Sequence, residues 1–445
     1  MTINRARTPG WWGAAATTAA GASLTVVTSI WVANGGPQDL TGGGALSATG
    51  RLLGLWASDL LLIQVLLMAR IPLVERAFGQ DRLARWHRVT GFTSFWLLLT
   101  HIVLITLGYA STARTNPLAQ LWSMIWNFPG MLLAASGTLA LVMVVVTSIR
   151  AARRRLRYES WHLLHLYAYL GAFLALPHQL WSGSDFVGSP LATAYWWGLW
   201  GIAVAAVLTY RVVLPLLRNR RHRLVVDRVV PEAHGITSVY LDGHDLHRLP
   251  ARAGQFFHWR FLDGPGWTRS NPFSLSAAPS DQLRITVKDS GDGSGRVATL
   301  KRGTRVLVEG PFGKLTGESY AGGPVVLLAC GIGITPLLAL LGELPYAPGE
   351  ATLLYRVRDD AATAFRPELD RLAAERGVRV VYLTGSRGSS WLPADRSDDL
   401  FSLAPDVRAA RVFICGPEEW AAQARTAVRA AGVPAARVHT ELFSW

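Results

Sequence analysis

Two apolar stretches that each carry paired histidines constrain this chain more than any other feature. The first runs Trp86-His87-Arg88-Val89-Thr90-Gly91-Phe92 and on to Thr100-His101-Ile102, a spacing of 14 between its imidazoles. The second runs Trp161-His162-Leu163-Leu164-His165 and ends at Leu176-Pro177-His178, a spacing of 13 from His165 to His178. At about 1.5 Å per residue each pair spans roughly 20 Å, which fits within a hydrocarbon layer of about 30 Å. A histidine buried in hydrocarbon must be neutral and hydrogen-bonded, or bound to a metal. Haem iron is such a metal partner. The expectation is therefore two haems, one between His87 and His165 and one between His101 and His178, held by two helices. Fourteen residues turn through about 1400°, within about 40° of four full turns, so His87 and His101 share a helix face. Thirteen leave His165 and His178 about 140° apart, and Pro177 is expected to kink or end the helix where His178 must turn. For any one histidine an interhelical hydrogen bond is the plainer reading; the matched pairs favour iron. His162 has no counterpart and is read as a hydrogen-bonding residue.

Six apolar segments long enough to span a bilayer lie near residues 11–33, 52–72, 87–110, 128–149, 159–180 and 193–217. With 445 residues, 50% hydrophobic content and a net charge of +14, the chain reads as a membrane half and a soluble half. The charge does not signal nucleic acid. Of nineteen arginines in residues 1–223, only Arg51 and Arg114 fall outside the segments assigned to the cytoplasmic side. Six spans then put the N-terminus and the C-terminal half in the cytoplasm, with His87 and His165 near that face and His101 and His178 near the other. In a bacterial-type cell this is the inner membrane. The first segment lacks a small-residue cleavage site and is read as retained. Trp11, Trp12, Trp31, Trp122, Trp126 and Trp181 sit at predicted span ends, as in an interfacial belt. Asp59 is an intramembrane carboxylate with no partner visible in the sequence. Arg211, near the inner end of the last span, could meet a haem propionate, but reads first as a snorkelling interfacial arginine. Phe92, Phe95 and Trp96 lie between the expected haem planes, where packing is the simpler role.

After Arg223 the pattern becomes short alternating strands separated by Gly and Pro turns, the signature of a small antiparallel barrel. This part carries Asn271-Pro272-Phe273-Ser274-Leu275-Ser276, Gly293-Ser294-Gly295-Arg296 and Gly310-Pro311-Phe312-Gly313. From Pro324 buried strands alternate with helices. Val325 to Ala329 runs into Cys330-Gly331-Ile332-Gly333-Ile334-Thr335-Pro336, a glycine turn between strand and helix of the kind that lets backbone N–H groups approach a pyrophosphate. Val412-Phe413-Ile414-Cys415-Gly416-Pro417 follows later, and the chain ends Glu441-Leu442-Phe443-Ser444-Trp445. Only two cysteines occur and there is no Cys-x-x-Cys-His, so any haem would be non-covalent and b-type. No zinc spacing, phosphate-binding Gly-Lys-Ser/Thr or nucleophile elbow stands out.

These motifs together resemble the ferric reductase and NADPH oxidase family. The resemblance implies a membrane all-α six-helix bundle, then an antiparallel β-barrel FAD domain and an α/β nucleotide-binding domain with a parallel sheet. The corresponding boundaries are 1–222, 223–320 and 321–445. By the same resemblance His87, His101, His165 and His178 are the haem ligands. Phe273 would pack on the flavin ring and Ser274 would hydrogen-bond near its N5, with Ser276, Ser294, Gly295 and Arg296 completing the flavin site. Asn271 departs from the family's basic residue, leaving Arg269 and Arg296 as candidates for the flavin phosphates. Gly331, Gly333, Thr335, Pro336, Gly416 and Pro417 would bind the nicotinamide nucleotide, with Cys415 at the reacting ring. Phe443 or Trp445 would cover the flavin. Arg356, Ser386 and Arg387, at strand ends, are the candidates for a 2′-phosphate, favouring NADPH over NADH. The implied activity passes electrons from cytoplasmic NAD(P)H through FAD and two haems b to ferric chelate or dioxygen on the far face. A non-catalytic cytochrome b carrier and a haem-free membrane-anchored flavin reductase are the alternatives.

Overall fold

The computed structural model describes residues 11–41, 44–153, 158–264, 269–291, 294–386, 388, 390–394 and 399–443. The chain divides into two compact units at Val213/Leu214.

The first unit is helical. Its long helices are α1 Trp11–Ala33, α2 Ala45–Leu67, α3 Gln80–Ala113, the shorter α4 Pro117–Asn127, α5 Met131–Ser148, α6 Tyr158–Trp181 and α7 Pro190–Val207, which runs on through a π turn at Leu208–Val213. Among the described residues, α1, α2, α3, α5 and the helix that begins at Pro190 are long and apolar enough to cross a membrane. Helix α6 has the length, 24 residues, but its histidines dilute its apolar content. Every exposed large hydrophobic side chain among the described residues lies at or before Leu217. A surface of that kind is unstable in water and suits lipid.

Small residues let these helices pack closely, as helices do in lipid. A Cβ on Gly137 of α5 would stand 2.6 Å from the Gly171 carbonyl of α6, and one on Gly171 would stand 2.9 Å from the Gly137 carbonyl. Pro177 lies inside α6, so of the two expected outcomes, a kink or an end, the helix does not end there. Trp31 also departs from its expected place. It is buried, and its indole N–H donates to the Ala48 carbonyl at 2.9 Å, so it is a packing residue between α1 and α2. Asp59, fully buried on α2, does have a partner: Oδ1 accepts from Ser23 Oγ of α1 at 2.5 Å, and Ser23 Oγ lies 2.8 Å from the Tyr195 hydroxyl of α7. Three helices far apart in sequence meet there, which is why the sequence alone gave the carboxyl no partner.

The second unit opens with α8, Leu214–His222. Asn219 holds this helix to a strand, its Oδ1 accepting from Val308 N at 2.8 Å and its Nδ2 donating to Val308 O at 2.9 Å. Six strands follow: β1 Val225–Ala233, β2 Ile236–Asp242, β3 Phe256–Phe261, β4 Asn271–Ser274, β5 Leu283–Lys288 and β6 Val306–Phe312. They form two three-stranded antiparallel sheets, ordered β1-β2-β5 and β4-β3-β6. Isolated bridges Val225–Arg305 and Leu275–Ile285 join the sheets at both seams. Period-two alternation turns Phe257, Trp259 and Phe261 of β3 inward onto Leu275 and Ile285.

The remainder is a five-stranded parallel sheet, ordered β11-β10-β7-β8-β9, with β7 Val325–Cys330, β8 Ala351–Val357, β9 Arg379–Thr384, β10 Arg411–Pro417 and β11 Val438–Phe443. Helices α9 Ile334–Glu343, α10 Arg366–Arg376 and α11 Glu418–Ala430 alternate with the strands. The strands read as continuous apolar runs because both faces of the sheet are covered. The chain leaves β7 for β8 and β9, then returns to β10 on the other side of β7. The β7/β10 gap is thus the topological switch point, where open α/β sheets bind ligands at the strands' carboxyl ends.

Arg284 of β5 ties the two parts of this unit together. Its guanidinium donates to both carboxylate oxygens of Glu368 on α10, at 2.7 and 3.1 Å, and to Ser276 Oγ at 3.1 Å. Arg284→Ala should cost about 2–3 kcal/mol, somewhat less than breaking a wholly buried pair because Glu368 reaches solvent. Arg284→Lys, keeping the charge but not the fork, should cost less; thermal unfolding of the two variants measures the difference.

Candidate functional site

The first unit encloses a cavity of about 1540 Å³ lined by His87, His101, His165 and His178. Pockets for one small ligand are usually about 300–1,000 Å³, so this one has room for two large groups. Helix α3 supplies His87 and His101 and α6 supplies the other two. The rings of His87 and His165 are 6.0 Å apart between centroids, and those of His101 and His178 are 6.5 Å apart. Two imidazole nitrogens at about 2 Å from one metal ion put the ring centroids roughly 6.4 Å apart. Both pairs therefore fit a metal between their rings. Among the described residues no group of three or more His, Cys, Asp or Glu could hold a bare metal ion. The remaining ligands of such a metal would come with a group that brings its own.

The outer ring nitrogens are tied back to the helices. His87 Nδ1 donates to the Gln64 carbonyl at 3.1 Å, and His101 Nδ1 to the Gly50 carbonyl at 2.7 Å, both on α2. A carbonyl only accepts, so the proton sits on Nδ1 and Nε2 keeps its lone pair for a metal. Ser182 Oγ lies 2.9 Å from His178 Nδ1 and gives its own proton to the His178 carbonyl, so it accepts from Nδ1–H. Ser148 Oγ of α5 lies 3.2 Å from His165 Nδ1. Gly54 makes room for one ring, since a Cβ there would lie 2.6 Å from His101 Nδ1. None of these orienting groups was singled out in the sequence; Ser182, four residues after His178, was the one within reach of a local pattern.

Phe92 and Phe95 line the cavity, whereas Trp96 is 64% exposed, turned outward by the 100° step from Phe95. Arg211 lines the cavity and donates to the Met68 carbonyl at 3.2 Å, at the end of α2. It sits on the π turn. The extra residue per turn there shifts the side chains from their α-helical directions.

In the second unit the sequence motifs meet at the carboxyl ends of β7 and β10. A 3₁₀ turn, Gly331–Gly333, follows β7, and a Cβ on Gly333 would lie 2.2 Å from the Cys415 carbonyl. Only glycine permits that approach. Thr335 is buried and its hydroxyl donates to Ile332 O at 2.9 Å, shaping the turn that leads to Pro336. In the parallel register Cys415 faces Glu441, Gly416 faces Leu442 and Pro417 faces Phe443. Glu441 Oε1 also lies 3.5 Å from where a Gly313 Cβ would stand, and Phe256 borders Gly313 from β3. Phe256 pairs with Ser274 of β4. Ser274 of β4, Gly313 just after β6, Glu441 of β11 and Cys415 of β10 thus come to one region. Glu441 was quoted in the C-terminal motif but not chosen as a site residue.

Ser274 is buried and its Oγ has no hydrogen-bond partner among the described residues, as expected of a hydroxyl kept for a ligand. Phe273 is fixed in place by Trp259, whose indole N–H donates to its carbonyl at 2.9 Å. Ser276 is buried and its hydroxyl oxygen accepts from Arg284 and from Thr286 Oγ1 at 2.7 Å. Ser294 donates to Gly291 O at 2.7 Å and precedes the turn that begins at Gly295. Arg296 is paired with Asp263 at 2.8 Å, which reduces the charge it can offer a phosphate. Arg356 also departs from expectation. It is buried and donates to the carbonyls of Val357, Leu383 (3.2 Å) and Ser386 (2.7 Å), so its fork joins the ends of β8 and β9 instead of facing a ligand. Arg387 and Trp445 lie outside the described residues, as does the side chain of Phe443.

Burial pushes the Cys415 thiol well above its ordinary value, with the Glu441 charge adding to the shift. It should therefore resist alkylation in the folded protein at pH 8, and Cys330 should react first. The unfolded chain loses this proton above about pH 8.5 while the fold keeps it, so its contribution to stability falls as pH rises past that value.

Residues 53–176 match the family model described as ferric reductase like transmembrane component. The helical unit is a ferric-reductase-like transmembrane domain. The matched stretch holds His87, His101 and His165 and stops two residues short of His178. The unit that follows is similar to ferredoxin-reductase-type proteins. Over 230 residues the chain is 32% identical to the ferredoxin reductase component of a 3-ketosteroid-9-alpha-monooxygenase from Mycobacterium tuberculosis, covering 49% of this chain and 63% of that protein. It is 33% identical over 236 residues to a flavohemoprotein from Chromobacterium violaceum, covering 48% and 58%. The chain thus spans about three fifths of the length of these relatives. A flavohem-like FAD/NAD-binding domain of a nitric oxide dioxygenase from Vibrio cholerae aligns with a TM-score of 0.41 at 24% identity, covering 50% of this chain and 99% of that one.

Proposed function

We propose that the protein is a transmembrane oxidoreductase that takes electrons from NAD(P)H, passes them through FAD and two b-type haems, and delivers them to an acceptor on the far face. The observation that carries this reading is the pair of facing imidazole couples inside the ferric-reductase-like domain, both at metal-bridging separation. When bound, FAD converts a two-electron hydride donor into single electrons, which haem iron can carry one at a time.

The chain's own residues act around these groups. His87 and His165 would hold one haem and His101 and His178 the other, and groups held by two histidines each would supply electron transfer rather than a substrate site. The Nδ1–H bonds of His87 and His101 hold the rings in orientation. The Ser274 hydroxyl meets the flavin near N5 and Phe273 packs on its ring. Ser294, Gly295 and Arg296 lie along the rest of the flavin. The Gly331–Gly333 turn receives the pyrophosphate of the nucleotide with Thr335 and Pro336, while Cys415, Gly416 and Pro417 flank the nicotinamide. Phe443 or Trp445 covers the flavin face until the nicotinamide arrives. Ser386 and Arg387 are the proposed contacts to a 2′-phosphate, which selects NADPH. Ferric chelate and dioxygen both suit an acceptor that meets the outer haem at its edge. The N-terminus and the second unit lie in the cytoplasm, on the side of the arginine clusters.

Purified protein in sealed vesicles, given NAD(P)H without oxygen, should bleach its flavin and then shift its Soret band. Oxygen or ferric citrate added on the other side should reverse both changes. Protein with a reducible flavin but no Soret band would instead be a haem-free flavin reductase; haem without NAD(P)H oxidation would make it a cytochrome b carrier.

A further inference from the structure

Helix α4 is only 11 residues long, about 16 Å, too short to span a bilayer, and it divides its surface into three stripes. Leu118, Trp122 and Trp126, spaced by four, are 77%, 66% and 56% exposed. Beside them Ala119, Ser123 and Asn127 form a second exposed stripe, with Asn127 Nδ2 donating to Ser123 Oγ at 3.0 Å. The third stripe, Leu121, Met124 and Ile125, lines the histidine cavity. The cavity end it walls is that of His101 and His178. Phe128, just after α4, contacts Tyr109 of α3 with ring centroids 5.9 Å apart, and Gly130 lies against the backbone of His178.

We propose that α4 is a lipid-binding helix lying in the bilayer interface, with Leu118, Trp122 and Trp126 among the acyl chains and Ala119, Ser123 and Asn127 toward water, while its third face walls the cavity. Three large apolar side chains in a row are unfavourable in water and need a cover. Two features favour lipid as that cover. The two helices that α4 contacts expose apolar side chains as well, Leu107 on α3 and Leu132 and Leu133 on α5. Tryptophan also concentrates at the head-group level, where its ring is apolar and its N–H is polar. The helix carries no charged residue, so its binding should not depend on anionic lipid. Asn116 and Pro117 start the helix independently of lipid, the Asn116 side chain accepting from Leu118 N at 2.8 Å.

The test uses full-length protein in phosphatidylcholine nanodiscs with Cys330→Ser; the buried Cys415 stays in place. Nitroxide labels are introduced one at a time at positions 118, 122, 126, 119, 123 and 127, all exposed. The ratio of oxygen to nickel-chelate accessibility should be several-fold higher at 118, 122 and 126 than at 119, 123 and 127, and should not change when phosphatidylglycerol is added. Equal nickel accessibility at all six positions would put the helix in water and overturn the proposal. Spin–spin broadening at 118, 122 and 126, with access to neither reagent, would also overturn it by showing that a second copy covers the stripe. Neither readout depends on haem, flavin or activity, so failure here leaves the proposed electron path standing.

Discussion

Replacing His101 or His178 by alanine is expected to leave one haem per chain and a flavin that NAD(P)H still reduces. Each residue supplies half of one facing couple, the other couple keeps both imidazoles, and the flavin site is built from a separate unit. Removing one axial imidazole leaves an iron with an open position in an apolar cavity, so the haem should dissociate or bind external ligands. A pyridine haemochrome assay counts the haems, and anaerobic NADPH addition reads the flavin. Two full haems in either variant would refute the pairing of His101 with His178. Transfer to a far-side acceptor should fall to background in both variants, because the couple that remains, His87 with His165, is a separate pair one helix stretch away from His101 and His178.

The second large effect is expected at a residue with no chemistry of its own. A Cβ at Gly54 would lie 2.6 Å from His101 Nδ1 and 2.8 Å from Cε1, too close for any side chain. Gly54→Ala must push the ring and break or bend the Nδ1–H bond to Gly50 O. Loss of an orienting bond behind a metal-bound histidine typically costs about 10–100-fold in affinity. Gly54→Ala should therefore weaken haem retention at the His101–His178 site by about that factor, and Gly54→Leu should abolish it. The His87–His165 site should be unaffected. Haem titration of the stripped protein, followed by absorbance, checks both. If Gly54→Leu retained both haems with normal spectra, the ring positions assigned to His101 would be wrong.

Much of the site was legible because its chemistry is tied to spacing. Fourteen residues on one helix can hold two imidazoles on one face, and α3 does so with His87 and His101 lining one cavity. The 13-residue spacing on α6 was a misfit for an ideal helix, yet His178 still faces His101 with Pro177 inside an unbroken helix. Periodicity treats a helix as straight and regular; packing against Gly130 and the local effect of proline are not in that arithmetic. Arg356 shows the opposite failure. An arginine at a strand end looked free to bind phosphate, but the end of β9 presents carbonyls that take its fork. The Ser276 oxygen likewise takes bonds from Arg284 and Thr286 that the sequence did not reveal. Polar groups near a site are claimed first by unpaired backbone and side-chain partners, and the fold decides which those are.

By itself the sequence determined the membrane half, the strand-rich part and the parallel sheet, because each has its own hydrophobic period and each is set by residues a few positions apart. It also singled out His87, His101, His165 and His178 as paired histidines in apolar surroundings, and all four line one cavity. Only the tertiary structure decided what orients them. Gly50, Gln64 and Ser148 reach the histidines from other helices, and Asp59 finds Ser23 and Tyr195 across 36 and more residues of chain. Such contacts depend on how helices pack. Packing in lipid is set by close approach of small residues such as Gly54, Gly137 and Gly171, whose partners lie on other elements and leave no local periodic trace.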